Sequence, residues 1–518
     1  MATISLSIGV SITIVCYLIL RCFLFKKLHD RFLRNWPVIG MLPGLSLVLH
    51  RVYDFTVELL ENSGLTFQFK GPWFAGMDML VTADPANIHY ILSSNFSNFT
   101  RGPDFKEVFE ALEDSILAKD SEAWQSLRKA SQVMINHQGF QSLQKNTTES
   151  KIKNGLVPFF NHFAEEGTTV DLQDVFLRLV FDIALVTVTG SDDPKSLSIE
   201  LPEVEFAKAL KNIGEGFFYR HAKPRLLWKL QNWIGVGIEK KMIEAGATFD
   251  RVCAEFISAR REEIERSQGI YDDDVNGESA DILTAHIKLD PTKYQILHPI
   301  NDKFLRDTAV LLIIAARDTT ASVLTWFFWL LSENPKVVTK IRQEIDTVLP
   351  RSSNGQERTS YDQVEFLNKL VYLHGALCES MRLYSPIPIE LLSPLESVLL
   401  PSGHKAEANS KILIFIYAVG RMRAVWGEDA LEFKPERWIS ERGVLRHVPS
   451  FNFLAFNGGP RKCLGKQIAM FQMKTLTVAI LQNYDIEVAK GQKIEPQGGL
   501  ILTMKHGLKV TIRKRCSS

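Results

Sequence analysis

The decapeptide at residues 456–465, Phe-Asn-Gly-Gly-Pro-Arg-Lys-Cys-Leu-Gly, constrains this chain more than any other feature. Its cysteine, Cys463, lies in a glycine-rich turn that a proline stiffens. The apolar residues that follow, at 464, 468, 471 and 478, share one stripe of a helix with Thr475. The sulfur is therefore expected at a helix N-terminus, whose partial positive charge favours a thiolate over a thiol. We predict that this loop presents the thiolate to an iron.

Other residues of the loop have predicted roles around that sulfur. Gly459 and Gly465 allow the backbone to approach a porphyrin without a Cβ atom in the way. Phe456 can cover the sulfur, and Arg461 can reach a carboxylate at the edge of the ring, such as a haem propionate. Cys463 is then the axial ligand of the haem iron. The alternative interpretation is a buried structural cysteine in a glycine-rich turn.

Composition excludes some classes of function. The chain has 518 residues, enough to enclose a cofactor, and its apolar (46%) and charged (23%) fractions are those of a globular protein. A net charge of +1 argues against nucleic acid as a partner, because nucleic acid binding requires a strongly basic domain. The six cysteines show no CxxC pair, so a reducing compartment is expected for the main body.

The first hydrophobic segment predicts a transmembrane anchor at residues 1–25. No charged side chain precedes Arg21, and about twenty apolar residues are enough to cross a bilayer core. Basic residues follow the segment and none precedes it, so the N-terminus is expected in the lumen and the remaining chain in the cytosol. A cleaved signal peptide is the alternative, but the basic n-region is missing. Residues 26–44, basic and then rich in proline and glycine, are expected to form a hinge.

The longest helical pattern covers residues 304–331. A second transmembrane helix is one interpretation, but Arg317 and Asp318 would lie in mid-span, where each costs about 2.5 to 3.5 kcal/mol. Charged groups inside long apolar helices usually mark function. We therefore predict a buried core helix about 40 Å long. The small side chains of Ala315 and Ala316 leave room for a ligand against its middle.

The cysteine loop and this helix resemble the cytochrome P-450 superfamily. Residues 456–465 match F-x-x-G-x-R-x-C-x-G at every fixed position, and residues 315–320, Ala-Ala-Arg-Asp-Thr-Thr, resemble the motif A/G-G-x-D/E-T-T/S. The resemblance implies that Asp318 and Thr319 are catalytic and relay protons to dioxygen. Ala316 replaces the usual second glycine, and its methyl group would narrow the groove without removing the relay.

Further motifs occur in the order that the family shows. Glu379 and Arg382 share one helix face, and Arg437 lies in a Pro-Glu-Arg-Trp segment. The resemblance implies that these three form a buried structural cluster behind the cysteine loop. Trp124 and Arg128 resemble the W-x-x-x-R motif, which hydrogen-bonds a haem propionate. Without the family, this pair would indicate an ordinary amphipathic helix.

The resemblance also implies a fold, a cofactor and partners. We expect the mainly α cytochrome P-450 fold with a small β portion, a haem-binding monooxygenase domain at residues 45–518, and an N-terminal transmembrane helix before it. The cofactor is haem b, iron protoporphyrin IX. No GxGxxG motif in a βαβ context is present, so electrons must come from a partner, NADPH-cytochrome P-450 reductase. The location implied is the endoplasmic reticulum membrane, with a single pass and a cytosolic catalytic domain.

Within the superfamily, residues 315–331 look like the plant enzymes that hydroxylate fatty acids and alkanes. Residues 69–73 and 230–235 are most similar to the mid-chain alkane hydroxylases of wax biosynthesis. We therefore predict a small hydrophobic substrate, a long-chain alkane, that reacts with dioxygen. The alternatives are a fatty acid omega-hydroxylase, a phenol-coupling or isomerase-type haem-thiolate enzyme, and a non-catalytic haem sensor. Substrate contacts are expected in residues 105–117, 217–227, 387–392 and 499–503.

Overall fold

The computed structural model describes residues 34–268, 281–290, 292–297, 301–348 and 364–515, together with Tyr17. Apart from Tyr17, the anchor predicted at residues 1–25 lies outside the described residues. Helices predominate in the described part of the chain, and the mainly α fold with a small β portion is confirmed.

The helices differ widely in length. The two longest helices both contribute side chains to the same hydrophobic cluster of the core. The α-helices are α1 (Leu42–Val48), α2 (Val52–Asn62), α3 (Pro85–His89), α4 (Gly102–Val108), α5 (Ser121–Asn136), α6 (Gln138–Lys151), α7 (Val157–Glu166), α8 (Leu172–Thr189), α9 (Glu205–Ala222), α10 (Arg225–Ile234), α11 (Gly237–Gln268), α12 (Ile282–Ile287), α13 (Asp302–Glu333), α14 (Pro335–Val348), α15 (Val364–Lys369), α16 (Val371–Leu383), α17 (Ile416–Val419), α18 (Arg423–Trp426) and α19 (Lys466–Asn483).

The strands are short and form small sheets at the side of the helices. The largest sheet has the order β1-β2-β8-β5-β3, in which β2 and β8 are parallel and the other neighbours are antiparallel. The strands are β1 (Thr66–Phe69), β2 (Met79–Thr82), β3 (Phe99–Thr100), β4 (Thr169–Asp171), β5 (Glu390–Pro394), β6 (Val398–Leu399), β7 (Lys405–Ala406), β8 (Lys411–Ile414), β9 (Tyr484–Val488), β10 (Pro496–Gln497), β11 (Thr503–Met504) and β12 (Lys509–Lys514).

The described part of the predicted hinge packs on the domain. Trp36 and Gly40 form an antiparallel bridge, and α1 begins within the segment at residue 42. The backbone N–H of Met41 donates to the carbonyl of Lys70 at 2.7 Å. Residues 36–44 are therefore held against the β1–β2 hairpin.

The core helix predicted between residues 304 and 331 is α13. Among the described helices it is long and apolar enough to cross a membrane, but most of its side chains are buried inside the protein. It packs against α8, α11, α16 and α19. A helix with apolar residues on all sides is stable in water only when neighbours cover it. The prediction of a core helix is confirmed.

Helix α19, which follows the cysteine loop, is buried more completely than one apolar stripe predicts. Every residue from 472 to 482 is buried, because α13, α14, α15, α16 and β9 surround the helix. Lys474 is among them. Its ammonium group donates to the carbonyls of Leu367 at 2.6 Å and Leu370 at 3.2 Å, at the end of α15, and burial lowers its pKa to about 8.

The structure brings Glu379, Arg382 and Arg437 together, as the resemblance implied. Arg382 donates from Nε and Nη2 to the two carboxylate oxygens of Glu379, each at 2.8 Å, and Arg437 Nε donates to the same carboxylate at 3.3 Å. Trp438 Nε1 adds a fourth hydrogen bond at 2.9 Å. The side chains of Glu379 and Arg382 are fully buried. The cluster joins α16 to the irregular segment after α18.

The remaining N–H groups of Arg382 bind backbone carbonyls on both sides of α18. Its Nη1 donates to Gly420 and to Ala430 (2.6 Å), and its Nη2 donates to Glu432 (3.0 Å). A Cβ atom at residue 420 would lie 1.9 Å from the Arg382 carbonyl, so only glycine fits there. The cluster is thus a fully satisfied polar network, and such networks are costly to disrupt.

We expect Glu379→Gln to lower the free energy of unfolding by about 3 to 5 kcal/mol, because it leaves buried guanidinium groups without a countercharge. Glu365→Gln is the matched control, since Glu365 pairs with Lys369 on an exposed helix face and exposed pairs contribute about 0 to 1 kcal/mol. Thermal unfolding of the purified proteins measures both. Equal melting temperatures for the two variants would show that the cluster does not stabilise the fold.

Candidate active site

The loop at residues 456–465 closes on itself around Cys463. The backbone N–H of Cys463 donates to the carbonyl of Phe456 at 2.8 Å. Asn457 has a positive φ of 58°, which tightens the turn. Gly465 is the N-cap of α19, and its backbone N–H donates to the cysteine sulfur. The sulfur thus lies at the start of α19, as the sequence predicted, and its side chain is exposed.

Protein atoms close to the sulfur affect its ionisation. Although the side chain is reachable by solvent, desolvation raises the pKa of the Cys463 thiol. The N–H of Gly465 and the charges of Arg128 and Lys466 act in the opposite direction. The effect of the helix N-terminus is present, but burial outweighs it. A thiolate here needs a further positive partner, and a metal ion is such a partner.

A contact with the protein backbone, in addition to the predicted approach to a porphyrin, restricts residue 459 to glycine. Its φ is +59°, and a Cβ atom there would lie 1.7 Å from the backbone oxygen of Leu92. Gly459 is therefore needed where the loop presses on the helical turn at residues 90–94. Gly465 differs, since its φ of −86° suits any residue, and a Cβ atom would lie 4.0 Å from the Cys463 sulfur.

Arg461, Trp124 and Arg128 meet beside the loop, although they come from two segments far apart in the sequence. The Arg461 guanidinium lies over the Trp124 ring at 4.5 Å and pairs with Asp120 at 2.6 Å. Arg128 donates from Nη2 to the carbonyl of Lys462 at 2.8 Å. The helix α5, which carries Trp124 and Arg128, therefore supports the cysteine loop directly.

A third arginine, which the sequence did not indicate, joins this group. Arg101 pairs with Glu390 at 3.0 Å, and Asn457 of the loop donates to the same carboxylate oxygen at 3.0 Å. Burial, with the nearby charges of Arg101 and Arg128, lowers the pKa of Arg461 to about 10. The Nε atoms of Arg101 and Arg461 are buried and have no hydrogen-bond partner among the described residues.

These observations test whether a haem fits. Arg101 and Arg461 pair with the carboxylates of Glu390 and Asp120, and Arg128 lies nearby, which leaves an excess of positive charge and unused N–H donors. Propionate carboxylates at the edge of a haem supply the acceptors that such donors require. An accessible cysteine sulfur lies at the adjacent end of α19. The residues present fit a haem.

One residue in the middle of the core helix α13 is exposed. Ala315 is exposed although Ile313 and Arg317 on either side are buried. The helix is unbroken through the motif, and the Thr319 hydroxyl donates to the carbonyl of Ala315 at 2.7 Å. An exposed alanine inside a core helix marks space that other protein groups do not fill. This is the room for a ligand that the small residues predicted.

Asp318, next to Thr319, is only partly accessible. Burial raises the pKa of the Asp318 carboxyl, and the neighbouring charge of Arg317 acts to lower it. Arg317 Nε lies 3.1 Å from Asp318 Oδ1. A carboxyl group whose pKa is raised by burial takes up a proton more readily than an exposed one, which suits a group that takes part in proton transfer.

All four predicted substrate segments contribute to one hydrophobic cluster, which α13 also borders. Phe105 stacks on Phe109 with ring centroids 4.3 Å apart, and Phe109 contacts Phe217 at the same distance. Leu391 and Leu500 pack against this cluster from the other two segments. The cluster is apolar and aromatic, which suits a hydrocarbon.

The site residues predicted from the sequence thus fall into three groups. The loop residues, with Trp124 and Arg128, form one group around Cys463, and Asp318 with Thr319 lies on α13. The structural cluster of Glu379 is separate from both. Sequence reasoning missed Arg101, Asp120 and Glu390, since no motif marks them. Their one signal is charge, and in the structure each of these ionisable residues lies at the start of a helix or strand.

Comparison with known proteins identifies the family. The model of the cytochrome P450 family matches residues 31–512. The chain is 52% identical over 495 residues to alkane hydroxylase MAH1 of Arabidopsis thaliana, which covers 95% of this chain and 96% of that protein. It is 36% identical over 508 residues to noroxomaritidine synthase 2 of Narcissus pseudonarcissus (97% and 96% covered). It is also 36% identical over 517 residues to cytochrome P450 86B1 of Arabidopsis thaliana (97% and 90% covered).

These matches extend over nearly the whole chain, and they agree with the helical fold and with a cysteine loop flanked by arginines. The haem cofactor predicted from the sequence is confirmed by the family. The chain therefore belongs to the cytochrome P450 family, binds haem iron through a cysteine thiolate, and is a monooxygenase that uses dioxygen, an organic substrate and a redox partner.

Proposed function

We propose that this monooxygenase hydroxylates a long-chain alkane at a carbon within the chain. The observation that carries the proposal is the 52% identity to an enzyme named alkane hydroxylase over 95% of the sequence. The aromatic cluster of Phe105, Phe109 and Phe217 supports it, because an alkane offers only apolar surface for binding. Residues 45–518 would form the catalytic domain.

Ion pairs near that cluster favour an alkane over a fatty acid. Arg220 is buried and is paired with Glu239 (2.6 Å) and Glu110 (2.9 Å). Arg225 is paired with Glu107 at 2.6 Å. A fatty acid carboxylate would have to displace one of these protein carboxylates to reach the cation. An uncharged substrate meets no such competition.

The proton relay and the ligands of the iron distinguish a hydroxylase from an isomerase, a lyase or a haem sensor. An isomerase or a lyase would not need Asp318 and Thr319, and their position at the open middle of α13 supports a dioxygen-using enzyme. A haem sensor would need a second axial ligand. A phenol-coupling enzyme shares the relay, so product analysis must distinguish it.

Each residue around the haem would have one task. The Cys463 sulfur would hold the iron, and Arg461, Arg128 and Arg101 would bind the propionates, with the indole of Trp124 packed beneath Arg461. When bound, the haem supplies the iron at which dioxygen is activated. The backbone N–H of Gly465 stabilises negative charge on the sulfur.

Asp318 and Thr319 would deliver protons to the reaction. The Thr319 hydroxyl donates its proton to the Ala315 carbonyl at 2.7 Å, which leaves its oxygen free to accept a hydrogen bond. In turnover, that hydroxyl would rotate away from the Ala315 carbonyl and give its own proton to the reaction while its oxygen takes one from Asp318, which is then reprotonated from solvent. Burial raises the pKa of the Asp318 carboxyl, so it holds a proton more readily than an exposed aspartate does, which suits a group that passes protons on.

Electrons would come from NADPH-cytochrome P-450 reductase at the face of the cysteine loop. Lys462 and Lys466 flank Cys463 and are exposed. Positive charge over the haem ligand would steer an acidic flavin domain to this face.

We also place the enzyme in the endoplasmic reticulum membrane, through a single anchor at residues 1–25 and a hinge at residues 26–44. A set of exposed apolar side chains supports contact with the bilayer. One part of this set lies near residues 73–76 and the other lies on α10, and α4 contacts both. Asp104 of α4 pairs with Lys411, which donates to the Gly76 carbonyl. Glu107 of α4 pairs with Arg225 of α10. This apolar patch consists of Val38, Trp73, Phe74, Leu226, Leu230 and Trp233.

We expect a chain that lacks residues 1–25 to retain weak binding to vesicles through the apolar patch. Trp73→Ser together with Trp233→Ser should remove this residual binding, because both indoles are mostly exposed (78% and 84%). Leu431→Ser, at another exposed apolar position, is the control. Flotation with phosphatidylcholine vesicles measures the bound fraction. Binding that survives both tryptophan changes would exclude this surface.

The proposed reaction is tested with the full-length enzyme and the reductase in microsomes. Straight-chain alkanes should give secondary alcohols, and fatty acids of the same length should give much less product. Cys463→Ala should abolish both the product and the carbon monoxide difference band of a thiolate-bound haem. Cys253→Ala, at a buried cysteine in α11, should keep both. Terminal hydroxylation of fatty acids as the main activity would contradict the alkane assignment.

We expect Thr319→Val and Asp318→Asn to bind substrate and keep the thiolate spectrum but to uncouple turnover. Product formed per NADPH should fall and peroxide should rise, and Asp318→Asn should slow product formation by about 10²- to 10⁴-fold. Thr325→Val is the control, since the Thr325 hydroxyl makes the same kind of bond, at 2.7 Å to the carbonyl of Ala321, away from the motif. Unaltered coupling in both motif variants would refute the relay.

A further inference from the structure

Arg317 is a charged side chain in the middle of a core helix, and its partners are few. It is only 6% exposed. Its Nη1 donates to the backbone carbonyl of Ala207 in α9 at 3.3 Å, and its Nε lies 3.1 Å from Asp318 Oδ1. A buried guanidinium is costly unless it is paired. The neighbouring carboxylate is therefore the countercharge that makes the burial of Arg317 tolerable.

The contact between these two side chains is an ion pair without an aligned hydrogen bond. Adjacent residues of an α-helix point about 100° apart, so the guanidinium approaches the carboxylate from the side. Consistent with this, Asp318 Oδ1 is buried and has no hydrogen-bond partner among the described residues. The carboxylate is held by charge while it keeps its capacity to accept a proton or a water.

Arg317 also connects this carboxylate to a helix that borders the substrate region. Ala207 lies near the start of α9, and the same helix carries Phe217, which contacts Phe109 of the aromatic cluster. A substrate that moves α9 changes the position of the Ala207 carbonyl. Because Arg317 is bonded to that carbonyl, the movement reaches Asp318.

We propose that Arg317 positions the Asp318 carboxylate for proton delivery and links it to α9 through the carbonyl of Ala207. The inference rests on the proton relay proposed above. It makes Arg317 a positioning residue, since its guanidinium acts through Asp318. Substrate binding and proton supply are then coupled by one side chain, so that the relay is completed when α9 is seated over the substrate.

The test uses the full-length holoenzyme with the reductase and an alkane that shifts its haem spectrum. Arg317→Met should lower the product formed per NADPH by about tenfold, raise peroxide release, and leave the spectral dissociation constant within about twofold. Arg317→Lys, which keeps the charge, should restore part of the coupling. Arg317→Gln keeps donors for the Ala207 carbonyl but lacks the charge, so it should uncouple even if the methionine variant fails to fold.

Arg178→Met is the matched control. Arg178 pairs with Asp174 on its own helix at 2.7 Å and donates to the Ser196 carbonyl at 3.0 Å, so it makes the same two kinds of contact outside the site. We expect its coupling to equal that of the unmodified enzyme. A loss of coupling in this control equal to that of Arg317→Met would overturn the proposal, because general destabilisation would then explain both.

A double variant separates this inference from the relay itself. If Arg317 acts through Asp318, adding Arg317→Met to Asp318→Asn should cause no further loss of coupling. Additive losses, or normal coupling in Arg317→Met and Arg317→Gln while Asp318→Asn is uncoupled, would overturn the role of Arg317 and leave the relay intact. Normal coupling in Asp318→Asn would overturn the relay, and with it the inference.

Discussion

The buried carboxylate of Glu379 holds together the part of the molecule that presents the cysteine. It accepts hydrogen bonds from Arg382 on its own helix and from Arg437 and Trp438 in the segment that leads to the loop. The Trp438 ring packs against Phe453 at 4.6 Å, directly before the loop. A flexible glycine-rich turn can hold a sulfur in one position only if the chain on either side of it is fixed, and here the fixing is electrostatic.

Three groups of buried charge lie in and around the site, and each is compensated in a different way. The Glu379 cluster is closed, since its donors and acceptors satisfy one another. The arginines beside the loop are only partly satisfied, and the acceptors they lack fit the carboxylates of the cofactor. Arg317 and Asp318 are paired without a hydrogen bond, which leaves the carboxylate available for protons. The charged groups of the scaffold therefore make all their hydrogen bonds within the protein, whereas those of the candidate site leave some donors or acceptors unused.

Much of the fold and of the site could be predicted, because the decisive patterns are local. The periodicity of residues 304–331 predicted a core helix, and α13 extends only slightly beyond those bounds. The stripe after Cys463 predicted a helix but not its complete burial, since one sequence cannot show how many neighbours will surround it. The second constraint on Gly459, from the backbone of Leu92, could not be predicted for the same reason, because Leu92 lies far away along the chain.

The sequence by itself determined the chemistry: a cysteine in a glycine-rich loop at a helix start, and an acid with a threonine in an apolar helix. These features depend on residues within a few positions of one another, so short-range geometry is enough to define them. Only the tertiary structure decided which charges meet. Arg101 and Glu390 are 289 positions apart, and Arg317 reaches Ala207 across 110. Such pairs exist because packing of the helices brings distant segments together. Once a charged group is buried, the loss of its partner is strongly destabilising.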